Sequence, residues 1–153
     1  MSWPVFGMAL DTAKRGFFDR KSVLNAMDKV TVKVLSRFGA YTMTTARGLI
    51  RRPGKKGLPS KPGKPPKNVT GLLRDFIFFS YEKNNRSVVI GPTRLNARRS
   101  GTPERLEYGG TTVVGHGKRA HRVFIAARPY MQPAFEKNQP KLPALWRTAR
   151  AAA

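Results

Sequence analysis

From Val23 onward, large side chains return every three or four residues: Val23, Met27, Val30, Val34, Phe38, Tyr41 and Thr45. That spacing brings each of them to one face of an α-helix. Asp19 or Ser22 supplies a cap, since a short polar side chain accepts from the unpaired amides of a first turn. The pattern predicts a helix to about Ile50, with Lys29, Lys33, Arg37 and Arg47 largely off the apolar stripe. About 28 helical residues at a rise of about 1.5 Å would span about 42 Å. That is long for a chain of 153 residues, and Gly39 is the candidate bend. The stripe reads as core packing rather than as a cofactor box.

Past Thr70 the period shortens. Asp75 to Tyr81 is rich in Phe and Ile, Ser87 to Ile90 is β-branched, and Asn84-Asn85 between them is a turn signal. These predict a β-hairpin ending at Gly91-Pro92. The Arg- and Asn-rich run from Thr93 to Pro103 reads as a loop, Thr111 to Val114 as a strand, and His121 to Ala126 as a firmer strand. The stretch IAARPYMQPAFE, residues 125–136, carries two prolines four apart. Pro129 cannot donate to a ladder and disfavours helix at Arg128, so the strand stops there. Pro133 suits the first turn of a helix, where a missing N–H costs little. The pair marks a strand-to-helix corner, after which Met131, Ala134 and Phe135 share a helical face. Pro140 and Pro143 interrupt that helix, and Leu145-Trp146 with the Ala-rich end forms a last short helical piece.

The expected class is therefore α+β: a long N-terminal helix on a small, mainly antiparallel β-sheet, with a C-terminal helix. Residues 1–18 read as an arm bearing Trp3, Phe6, Phe17 and Phe18, which pack either on the chain's own core or on a neighbouring subunit. Residues 19–137 form the domain and 138–153 a C-terminal extension.

Charge alters this picture more than composition does. Lys and Arg number 30 against 8 acids, a formal charge of +22. Self-repulsion of that size opposes compaction, so the excess points to a partner: nucleic acid, an anionic surface or an acidic protein. The densest run, RRPGKKGLPSKPGKPPKN at 51–68, holds Arg51, Arg52, Lys55, Lys56, Lys61, Lys64 and Lys67 with no acid. Its five prolines and three glycines forbid helix and interior strand. It reads as an extended basic contact loop. The absence of cysteine excludes disulfides and thiolate metal sites and suits a reducing compartment. No apolar run approaches the roughly 18 residues of a membrane span, so no membrane contact is expected. Trp3 to Leu10 is short, contains Pro4 and is not read as a signal peptide.

Catalytic patterns are weak. His116 and His121 stand five apart without clustered acids, and Gly115-His116-Gly117-Lys118-Arg119 lacks the Ser or Thr that a phosphate loop needs after its lysine. No enzyme, metal or cofactor is expected. Zinc-finger, RNP-like and helix-turn-helix patterns are also missing. What remains is a basic surface suited to phosphates without base readout. Composition alone would suit a ribosomal or other nucleic-acid-binding protein.

Four short motifs, in order, change that reading. Thr70-Gly71-Leu72-Leu73-Arg74-Asp75 resembles a TG-x-LR entry into a sheet, and Val88-Val89-Ile90-Gly91-Pro92 a v-x-IGP strand end. Leu106-Glu107-Tyr108-Gly109-Gly110 resembles an acid–aromatic–glycine turn, and Ala127-Arg128-Pro129-Tyr130-Met131-Gln132-Pro133-Ala134 an aRPF-x-x-PA segment. Over residues 20–137 the chain resembles the tail-completion, or head–tail joining, proteins of long-tailed bacteriophages, the lambda-type minor tail protein Z family. Two departures stand out: the basic insertion at 51–68, and the stretch after Asn138. The resemblance implies a structural virion protein of the neck, joining tail tube to DNA-filled head. It implies a homo-oligomeric ring, with a hexamer as the leading stoichiometry. Its neighbours would be portal-adaptor and tail-tube or tail-terminator proteins, with non-specific DNA contact through the basic loop as a further expectation. Gly71, Leu73, Arg74, Gly91, Pro92, Glu107, Gly109, Arg128, Pro129, Tyr130 and Pro133 are the motif or interface positions it implies. Glu107 and Arg128 are expected to pair, holding the turn at Tyr108-Gly109 against the strand before Pro129.

Overall fold

A computed structural model describes residues 20–51, 60–67, 71–93, 102–114 and 119–151. The expected arm lies outside them, as do Arg52, Lys55 and Lys56 of the basic run.

Helix α1 (Arg20–Leu49) is continuous for 30 residues, about 45 Å. Its buried side chains are Val34, Phe38, Thr42, Ala46 and, just past its end, Ile50. The step is four throughout. The predicted stripe is therefore right at Val34 and Phe38 and rotated one residue beyond them: Thr42 and Ala46 face the core, while Tyr41 is exposed. A row spaced by four drifts around the helix, and it follows the cleft between the two elements that flank α1. At the other end the stripe is uncovered. Val23, Leu24 and Met27 are exposed, Met27 at 60%.

Strands β1 (Ile77–Glu82) and β2 (Ser87–Pro92) pair antiparallel, from Ile77 opposite Pro92 to Glu82 opposite Ser87. Alternation sends Ile77, Phe79 and Tyr81 inward and Phe78, Ser80 and Glu82 outward. The hairpin lies flat on α1 at Gly39, where an added Cβ would come within 2.7 Å of Phe79 and 2.9 Å of Val88. Gly39 is thus a close-approach residue inside a continuous helix. Arg47 fastens the start of β1, donating to the carbonyls of Ile77 (2.7 Å) and Asp75 (3.3 Å), with Phe78 packed on its guanidinium. At the hairpin tip, Arg86 pairs with Asp28 of α1 at 3.0 Å. A short helix, α2 (Leu72–Asp75), precedes β1 after Gly71 in the left-handed region.

Helix α3 (Thr102–Tyr108) begins inside the segment expected to be a loop. Pro103 suits its first turn, and one apolar residue, Leu106, gives too little periodicity to announce it. Strands β3 (Gly110–Val114) and β4 (His121–Ile125) form a second antiparallel pair. The strands thus make two separate two-stranded sheets rather than one. Helix α4 (Met131–Asn138) follows the proline corner and runs through a 3-10 turn (Gln139–Lys141) into α5 (Leu142–Ala151). The stretch after Asn138, set apart by its prolines, packs back on α1. The helix does break where Pro140 enters, in the 3-10 turn, and Pro143 sits in the first turn of α5.

The result is an α+β fold with α1 between the first hairpin and the α4–α5 pair. Its core joins Ala46, Ile50, Ile77, Tyr130 and Ala134, with Met43, Leu49, Leu73, Leu106 and Met131 against them. Fully buried Asn138 ties the helices: its amide donates to Thr45 Oγ1 and to the Ala134 carbonyl, and its oxygen accepts from Lys141 Nζ, all at 2.8 Å.

Candidate functional site

The most elaborated local structure is the proline corner. The first amides of α4, like those of any helix, have no partner within it and need an acceptor. Glu107, at the end of α3, supplies it. One carboxylate oxygen accepts from the amides of Tyr130 (2.9 Å) and Met131 (3.1 Å), the other from Gln132 (2.8 Å). A carboxylate at a helix N-terminus satisfies orphan donors and complements the dipole together. Here the capping side chain comes from 23 residues upstream.

Two backbone bonds place it. Arg128 N donates to the Leu106 carbonyl, and Gly109 N to the Arg105 carbonyl at 2.8 Å. The second bond closes α3, and Gly109 then turns at φ 80°. An added Cβ there would meet Ala127 N at 3.2 Å. Tyr130 is buried beneath the corner, and burial, then the Glu107 charge, push its hydroxyl pKa well above the usual tyrosine value.

The expected Glu107–Arg128 pair is not formed. Glu107 is taken up by amides, whereas Arg128 Nε donates to the Ser60 carbonyl at 3.0 Å and Nη1 to the Ala126 carbonyl at 3.5 Å. The turn is held against the strand as expected, but by a main-chain bond and a helix cap. Arg128 instead serves the basic insertion. Gly63 N donates to the Ala127 carbonyl at 2.8 Å, Pro66 is buried, and Arg51 bridges Lys67 in parallel. Residues 60–67 are therefore stitched to the corner rather than standing off it. Arg51, Lys61, Lys64 and Lys67 remain exposed.

The other motif residues are distributed around this centre. Leu73 and Leu106 share the core under Tyr130. Pro129 and Pro133 are half-buried, and Pro133 lies in the first turn of α4. Arg74 is exposed. Gly91 and Pro92 pair with Phe78 and Ile77 at the start of the first hairpin. Sequence reasoning missed Asn138 and the role of Gly39. Neither has a local signal, since each is defined by a contact with a distant element.

The corner's one buried carboxylate has its oxygens turned to main-chain donors, and no group of three metal-binding side chains occurs among the described residues. Also among them, no helix is long and apolar enough to cross a membrane. The surface is more telling. Tyr108 is 77% exposed, and the outer face of the second hairpin presents Phe124, 72% exposed, beside Val113. Compared with protein-family models, curated protein sequences and solved structures, the chain matches none of them.

Proposed function

We propose that this chain is a non-catalytic structural subunit of a bacteriophage neck, a tail-completion or head–tail connector protein that works as a ring. The observation that carries the subunit reading is the uncovered half of α1. Val23, Leu24 and Met27 continue the buried side of the helix outward, yet stay exposed in the single chain. A stripe of this kind fits a neighbouring surface. The second hairpin adds open strand edges and the apolar outer face of Val113 and Phe124, and edges are templates for pairing. Two unlike patches on one chain favour head-to-tail contacts, which close into rings when the rotation allows. The ordered family-like motifs supply the neck assignment. The rigid corner at Glu107 would set the angle between the second hairpin and the helices, and the stitched basic insertion would face DNA or an acidic neighbour.

Native mass measurement and imaging of assembled particles test this reading. The expected result is a closed ring, alone or on a template, at a virion head–tail junction. A stable monomer absent from purified virions would sink it. Val23→Asp with Met27→Asp should abolish assembly while leaving the melting of the single chain nearly unchanged. The alternative, a ribosomal or other nucleic-acid-associated protein, rests on the +22 charge and would be favoured by co-purification with ribosomes or RNA.

A further inference from the structure

An exposed side of α1, beside the core-facing row, carries a regular basic row. Lys29, Lys33 and Arg37 are spaced by four, and all are exposed. At about 100° per residue they lie within about 80° of arc, and at about 1.5 Å per residue they span about 12 Å. Lys141 stands at Tyr41, one turn further on, with its ammonium 5.6 Å from the ring centroid and bonded to Asn138 Oδ1. The only acid on α1, Asp28, faces the first hairpin and is paired with Arg86. Among the described residues, none of Lys29, Lys33 and Arg37 forms an ion pair.

We propose that this face of α1 binds the phosphodiester backbone of nucleic acid without reading its sequence. A row of about 12 Å matches the axial extent of three to four successive phosphates of one strand, at about 3.4 Å each. The alternative occupant, an acidic protein surface, fits less well. Protein interfaces are anchored by apolar and aromatic groups near their centre. On α1 Val23, Leu24, Met27, Val32 and Tyr41 are exposed; all lie about 80° or more around the helix from Lys33, and the one nearest the row's line, Tyr41, stands at its end rather than its centre. Lys and Arg contact phosphates whatever the base, so charge spacing along one strand is the interaction this row supports. This surface is distinct from the basic insertion, and it stands on the row's own geometry. Failure of the ring reading and failure of this one are therefore separable, since a monomer can bind and a ring can fail to bind.

The experiment is fluorescence anisotropy with a short random-sequence DNA duplex over a salt series. Each phosphate contact contributes about 0.9 to the log–log salt slope. The triple variant Lys29→Gln, Lys33→Gln, Arg37→Gln should lower that slope by about 2.7, so that a fourfold rise in salt weakens it about 40-fold less than the parent chain. Circular dichroism should be unchanged, because all three side chains are exposed. The charge-preserving variant Lys29→Arg, Lys33→Arg should keep the parent slope. An unchanged slope in the triple variant overturns the proposal. So does an equal loss in the Arg variant, or a slope carried instead by Lys61→Gln, Lys64→Gln. Polyglutamate competing as well as DNA at equal charge would transfer the surface to an acidic protein and overturn it too.

Discussion

Replacing Glu107 by Gln should destabilise the whole domain, although it changes one side chain by one charge. The carboxylate now accepts three amides at 2.8–3.1 Å. Gln can keep the two bonds made by one oxygen, but its NH2 then faces the Gln132 amide, donor against donor. The charge–dipole interaction at a partly buried helix start is worth up to about 2 kcal/mol. Bonds to charged acceptors contribute about 1.5–3 kcal/mol, against about 1 for neutral ones. With Gln132 exposed to water, the sum is about 2–4 kcal/mol. For a domain of this size about 3 kcal/mol corresponds to roughly 6–12 °C in melting temperature. Glu107→Ala, which leaves all three donors without a side-chain acceptor, should cost somewhat more, about 3–5 kcal/mol. Urea unfolding followed by circular dichroism reads the difference, with an unchanged m-value showing that the unfolded state is not the cause. Glu136→Gln is the control: that carboxylate is exposed and, among the described residues, accepts from the Gln132 side chain alone, at 2.8 Å, so its effect should stay within about 0.5 kcal/mol. If Glu107→Gln costs no more than the control, the cap does not hold the corner.

Two glycines in one helix should respond in opposite directions to alanine. At Gly48 nothing lies within 4 Å of an added Cβ, so Ala should stabilise by up to about 1 kcal/mol through helix propensity. At Gly39 the same methyl meets Phe79 and Val88 inside 3.0 Å and should cost about 1–3 kcal/mol; equal effects in thermal unfolding would contradict the packing of the first hairpin. The raised pKa of Tyr130 makes a pH prediction: an acid whose folded pKa is raised contributes stability that is whole below its unfolded value, about 10, and lost as pH rises through the folded one. Above about pH 10 the parent chain should therefore lose stability relative to Tyr130→Phe, by up to about 1.4 kcal/mol per pH unit, and parallel pH profiles would refute the burial of that hydroxyl.

Local pattern carried α1, the first hairpin, the two strands of the second and the proline corner, because each rests on interactions between near neighbours in sequence. Val34 and Phe38 show both the strength and the limit of this. Periodicity names the face, but the switch to Thr42 and Ala46 depends on what packs there. Helix α3 was illegible because its stability comes from one docked face and a cap it gives to another helix. The corner shows the same division. Its motif was visible as Arg128-Pro129-Tyr130 and Glu107, and the obvious pairing of opposite charges was the wrong one. Amides at a helix start are invisible in a sequence, yet here they compete better for the carboxylate than the guanidinium does. Arg128 in turn meets carbonyls of Ser60 and Ala126, partners that no side-chain pattern encodes.

The parallel bridge between Arg51 and Lys67 has a bearing on how such a chain can change over evolutionary time. The insertion departs and returns at one spot on the body, and its return limb is fixed to the corner from Ser60 onward. Closing a loop costs entropy that rises with the logarithm of its length, about 0.6 kcal/mol for each doubling. Added or deleted residues there should barely register in the free energy of the fold, while each inserted lysine extends the charge this protomer offers to its surroundings. A change of length between the two anchored limbs would therefore alter what this domain can touch while leaving the helices and hairpins beneath it as they are.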